Sequence, residues 1–390
     1  MKYLLILLLI ITILPVVGQE KTTDHPVYFE PEVLFGRIVP NYLNYPKVGF
    51  RSGVALHIGS ESKGKKWSSL YKYPVTGVSL LLSTTGNKSL YGYEFSLTPY
   101  IEFNPFNFLK KYKFRLNLGF SYFTTSHDDI TNPANISIGS KLTWHFQALM
   151  YRNFYEAKKV DYRIGFGVLH SSNGHIQLPN FGLNSMVLSV SARVKPSRLP
   201  EEPTEEVQDR KRHYFMTVFT GLGVHELGPT LGADDKTKRP VNSLTISGGI
   251  IYRQFIRVRT GISYRYYQQF KNYIESNQLP GYIDRVTYYS SNVYLLLGAE
   301  FLIGHLAMNL EGGINLHKPF FNDFYTVFSH RGRTDYLLKK WFPASIGLNY
   351  YFVDPSKSPR SNVFLGATIR ANFGQADFSD LVFGYTYTIK

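Results

Sequence analysis

Four side chains in one short stretch have the types and spacing for acyl-transfer chemistry. They are His170, Ser172 and Asn173, in His170-Ser171-Ser172-Asn173-Gly174, and Asn184, after Pro179-Asn180-Phe181-Gly182-Leu183. A histidine and a serine two residues apart on an extended strand point the same way and come within hydrogen-bond reach. An asparagine on the neighbouring strand can hold the far ring nitrogen, which makes a nucleophile, a base and an orienter. Asn173, or a backbone N–H beside it, can stabilise an oxyanion. The plain alternative is a polar rim of ordinary turn residues, Ser-Ser-Asn-Gly and Pro-Asn-Phe-Gly.

Parity decides where these groups point. Tyr162, Ile164, Phe166 and Val168 form an apolar row, and His170 and Ser172 continue it. On the returning segment Met186, Leu188, Val190, Ala192 and Val194 are the apolar row, with Asn184 on it. The same period-two alternation recurs elsewhere, as in Phe114 to Tyr122, Ile136 to Met150, Ile256 to Tyr266 and Asn362 to Asn372. One parity is apolar and the other carries Lys, His, Gln and Arg, the pattern of strands between lipid and a wet lumen. Counted from a periplasmic N-terminus, the strand order puts the rim bearing His170 and Ser172 outside the cell.

The elements that must position the site follow from this pattern. The expected fold is all-β, an antiparallel transmembrane β-barrel. About eight strands precede Pro196 and about eight follow His213, so they close either one barrel of about 12–16 strands, the favoured form, or two eight-stranded barrels in tandem. The expected organisation is a signal peptide at 1–18, a barrel half at 19–196 carrying the motif, a linker or long turn at 197–212, and a second half at 213–390. The signal peptide rests on Lys2, the apolar run Leu4 to Pro15 and small or permitted residues at Val16 and Gly18. No Cys follows the cleavage site, which excludes a lipoprotein anchor, and no second long apolar segment suits a membrane helix. With no Cys at all, stability must come from sheet closure and packing. The 30 Tyr, 29 Phe and 32 Gly suit aromatic girdles and tight turns. A net charge of +15 fits loops drawn to lipid phosphates, and export argues against a nucleic-acid partner. His225-Glu226 lacks the second His of a helical zinc motif, and His57, His145 and His305 read as lumen, girdle or loop residues, so no metal site is expected.

The H-x-S-N-G stretch followed by P-N-x-G-x-N resembles the active-site region of the lipid A 3-O-deacylase (PagL-like, acyloxyacyl hydrolase) family. Gly119 to Tyr122 and Asn135 to Ser140 resemble its longer members in Bacteroidetes. The resemblance covers roughly 90–195 and is thin beyond. It implies an outer-membrane esterase acting on lipid A without a cofactor, with the family's His and Ser at His170 and Ser172 and its oxyanion Asn at Asn173. The third member, a Glu in the best-known enzymes, falls at Asn184, and Asn in place of the acid of a Ser-His-Asp triad can cost about 10⁴ in rate. The spacing also resembles outer-membrane phospholipase A, which works with a Ser-His-Asn triad. That reading implies a phospholipid substrate and a need for Ca²⁺. A non-catalytic porin or structural barrel is the reading from another class. Oligomeric state is left open.

Overall fold

The protein is described by a computed structural model over residues 27–389, apart from 63–66, 105–110, 196–211, 229, 231, 234–235, 253–254 and 326–332. The expected signal peptide, and all but Arg212 of the expected linker, lie outside the described residues.

Among the described residues, sixteen strands form two closed antiparallel barrels of eight. The first contains β1 (Val27–Val39), β2 (Arg51–Glu61), β3 (Val75–Thr84), β4 (Tyr93–Phe103), β5 (Tyr112–Phe123), β6 (Leu142–Glu156), β7 (Val160–Ser172) and β8 (Leu183–Val194). The second contains β9 (His213–Glu226), β10 (Lys238–Tyr252), β11 (Ile256–Tyr267), β12 (Ser291–Ile303), β13 (Leu306–His317), β14 (Pro343–Tyr351), β15 (Ser361–Asn372) and β16 (Gln375–Ile389). The favoured single barrel is therefore corrected to the tandem form. The reason is edge pairing: β8 returns to β1, with Val39 opposite Asn184 and Phe29 opposite Val194, rather than passing on to β9. Strand β9 pairs with β16 in the same way, so neither barrel leaves an open edge in lipid.

The alternation sorts each wall. Tyr162, Ile164, Phe166 and Val168 on β7, and Met186, Leu188 and Val190 on β8, are exposed, whereas Arg163, Leu169, Ser185 and Val187 between them are buried. These outward apolar rows, repeated round both barrels, are the lipid-facing surface of an outer-membrane protein. Eight strands enclose a lumen just wide enough for side chains to fill. In the first barrel Glu30 accepts from Arg115, Arg163 and Arg193, all of which also reach Glu102. In the second, Arg257 pairs with Glu300, and Arg259 and Arg370 with Glu311.

One alternating stretch is not a strand over its whole length. Ile136 to Lys141 precedes β6 as a loop, because its carbonyls bond elsewhere: Phe181 donates to Ile136 O at 3.1 Å and Gly182 to Ser137 O at 2.9 Å. Ile138 is buried with Tyr91, Phe123 and Leu183 and so caps that rim of the barrel.

The two barrels touch at both rims. On the rim that carries the β7–β8 loop, Trp144 Nε1 donates to Ser379 Oγ at 3.1 Å and Lys238 Nζ to Gln177 Oε1 at 2.7 Å. On the opposite rim Tyr71 donates its hydroxyl to Phe255 O at 3.2 Å, with the rings edge to face.

Candidate active site

His170 and Asn184 face each other across β7 and β8 as direct cross-strand partners. Their side chains meet, Nδ1 to Oδ1, at 2.7 Å. The amide oxygen accepts only, so Nδ1 carries the proton and Nε2 is left as the basic nitrogen. Ser172 continues the outward row at the end of β7, opposite Trp144 on β6, whose ring packs on Phe120 with centroids 4.7 Å apart.

The loop 173–182 then folds back over Ser172. Its Oγ accepts from Gly174 N and from Asn180 Nδ2, each at 3.2 Å. Gly182, at φ +72°, lies between His170 and Ser172. A Cβ there would sit 2.9 Å from His170 Cε1 and 3.2 Å from Ser172 Cβ, so the imidazole and the serine border the same small space. Among the described residues no hydrogen bond joins His170 to Ser172.

Asn173 is placed differently from the other three. Its side chain is committed within the loop, donating to Gln177 O at 2.7 Å and accepting from His175 N at 3.0 Å, while its own N–H donates to Asn180 Oδ1 at 3.1 Å. The donors gathered on Ser172 Oγ are therefore Gly174 N and Asn180 Nδ2. Spacing alone assigns Asn180 no role, although it lies in the Pro179-Asn180-Phe181-Gly182 stretch. Two asparagines near one serine cannot be ranked by spacing.

A second serine–histidine–carboxylate set lies behind the wall. Ser171 and His145 both reach Glu94, at 2.6 and 2.9 Å, and Arg51 pairs with the same carboxylate. All four are sealed in the lumen, out of reach of a lipid ester, so they hold the barrel together. His57, paired with Glu32, is a lumen residue too, and His305 sits in the β12–β13 turn. His225 faces the β7–β8 loop, where His175 stacks on it with ring centroids 5.5 Å apart. Burial, and then the neighbouring His225, push His175 down to about 3, so it is neutral. Among the described residues no three His, Cys, Asp or Glu side chains gather to hold a metal.

Residues 53–193 match the family described as lipid A 3-O-deacylase (PagL). The first barrel is PagL-like. The matched segment contains His170, Ser172, Asn173, Asn180 and Asn184, and the second barrel lies outside it. No curated protein matches the chain. Among solved structures, CdiB from Acinetobacter baumannii is 8% identical with TM-score 0.19, the alignment covering 93% of this chain and 60% of that one. The chain thus spans about 60% of the length of CdiB. An outer-membrane channel from Pseudomonas putida F1 is 8% identical with TM-score 0.21, covering 95% of this chain and 100% of that one. The outer-membrane protein opdK from Pseudomonas aeruginosa is 7% identical with TM-score 0.20, at the same coverages. At such scores these likenesses carry no argument about function.

Proposed function

We propose that the first barrel is a serine esterase that removes an acyl chain from lipid A. The observation that carries this reading is the 2.7 Å contact between His170 Nδ1 and Asn184 Oδ1 on the lipid-facing wall, beside a serine on which two N–H donors converge. His170 Nε2 takes the Ser172 proton as Oγ attacks the ester carbonyl. The oxyanion forms within reach of Gly174 N–H and the Asn180 amide. His170 then gives its proton to the departing alcohol of the lipid. Water, activated by the same imidazole, cleaves the acyl–serine ester and releases a fatty acid.

Placement supports a membrane-lipid substrate. The exposed row Tyr162 to Val168 runs along the wall to His170, so acyl chains in the bilayer lie against the strand that presents the base. The filled lumens speak against a pore, since buried ion pairs occupy the space where water would pass. The family match supports lipid A as the substrate class.

The test is a Ser172→Ala variant, refolded alongside the parent and assayed on purified lipid A and on phospholipid vesicles by mass spectrometry. We expect the parent to release a fatty acid from lipid A without added Ca²⁺, and the variant, with unchanged heat-modifiable gel mobility, to release none. Activity of Ser172→Ala within tenfold of the parent refutes the assignment. Lysophospholipid formed only when Ca²⁺ is added would instead assign a phospholipase A, the reading favoured by an Asn as third member.

A further inference from the structure

The second barrel has no part in the chemistry described so far, yet it lies against the loop that carries the site's donors. Gly174 and Asn180, whose groups point at Ser172 Oγ, are each tied to it by their own peptide. Asn180 donates its backbone N–H to Thr230 O at 3.0 Å. The Gly174 carbonyl is 3.5 Å from Ser379 Oγ, the hydroxyl that also accepts from Trp144 Nε1. Between these points Leu178 donates its N–H to the Glu226 carboxylate, and His175 is stacked on His225. Packing is as close as the bonding, since a Cβ on Gly174 would sit 2.2 Å from Ser379 Oγ and 3.6 Å from Ile369 Cγ2.

We infer that the second barrel is a built-in positioning partner of the esterase site: through Ser379, Thr230 and Glu226 it fixes the loop 173–182 so that Gly174 N–H and the Asn180 amide stay aimed at Ser172. The inference rests on the esterase reading above. The first barrel holds the start of β8 by itself, through Gly182 N to Ser137 O and Phe181 N to Ile136 O. At Leu178 and Asn180 the backbone N–H groups go instead to the second barrel. A loop tied at one end only would sample positions in which the two donors no longer converge, and preorganised donors lose most of their effect when they must be reordered during reaction.

The experiment compares full-length Ser379→Ala and Glu226→Ala with the parent on a short-chain soluble nitrophenyl ester, which does not depend on lipid binding. Each variant removes one hydrogen bond that holds the loop, and we expect kcat to fall about tenfold with KM within about twofold of the parent. Glu226→Gln, which keeps an acceptor oxygen for Leu178 N–H, should recover most of the lost rate, an outcome that simple loosening of the fold does not give. A fluorophosphonate that labels Ser172 should react more slowly with both alanine variants in the same ratio. If either alanine variant loses heat-modifiable mobility, Trp144→Phe takes its place: it keeps an aromatic ring at the position facing Phe120, removes the N–H given to Ser379 together with part of the indole, and should lower kcat several-fold. Folded variants with parental kcat, beside an inactive Ser172→Ala, overturn the positioning role and leave the esterase reading standing. A fully active Ser172→Ala overturns both.

Discussion

Replacing Asn184 by alanine isolates the orienter. The side chain accepts one hydrogen bond, from His170 Nδ1 at 2.7 Å, and sits at the start of β8, where truncation opens no core cavity. A neutral hydrogen bond of this kind contributes about 0.5–1.5 kcal/mol, which is roughly 2- to 12-fold in rate if it is lost wholly from the transition state. Freeing the ring adds a loss of tautomer control. Alanine does not enforce the wrong tautomer, so the cost stays well below the roughly 10⁴ seen where an Asp-to-Asn change in a serine protease does so. The expected fall in kcat is therefore about 10- to 50-fold. Asn184→Asp should match or exceed the parent, because a carboxylate also stabilises the imidazolium, with a gain limited by placing a charge near the lipid boundary. The assay is kcat and KM on one soluble ester for refolded parent, Asn184→Ala, Asn184→Asp and Ser172→Ala. If Asn184→Ala keeps kcat within twofold of the parent, the 2.7 Å contact does not orient a catalytic base and the reasoning fails.

Two further outcomes follow from the loop. Gly182→Ala puts a methyl group 2.9 Å from His170 Cε1 at a backbone φ of +72°, so kcat should fall at least about tenfold while heat-modifiable mobility persists, as read by the same assay. Acid should loosen the seam through His175, which faces His225, Asp377 and Glu226 and is held at about 3. Its pKa in the unfolded chain is about 6.5, so the unfolded state binds the extra proton; the stabilisation is complete above that pH and is lost as pH falls toward 3, by about 1.4 kcal/mol per unit. Unfolding of the parent at pH 4.5 against pH 7 should thus show about 3 kcal/mol more loss than His175→Phe does, and equal losses would refute the assignment.

The strand walls were legible because lipid and a filled lumen impose opposite demands on alternate residues, as Tyr162 to Val168 against Arg163 to Leu169 make plain. The His170–Asn184 pairing was legible for the same reason, since parity put both on one face and the return of β8 brought them level. The number of barrels was not. Closure depends on which strand β8 meets, and the match of Val39 to Asn184 lies 145 residues away along the chain with no local signature. Alternation also misled at Ile136 to Lys141, where a period-two pattern serves a loop whose carbonyls pair with Phe181 and Gly182. Asn180, Thr230, Glu226 and Ser379 converge only through docking of one barrel on the other, which no spacing along the chain encodes.

An even strand count has a topological consequence. Each barrel closes with eight strands, so the chain leaves each one at the same rim by which it entered. A module built this way can be gained or lost without inverting the sidedness of its neighbour. The rim of the first barrel that carries His170 and Ser172 keeps its orientation whether or not a second barrel follows.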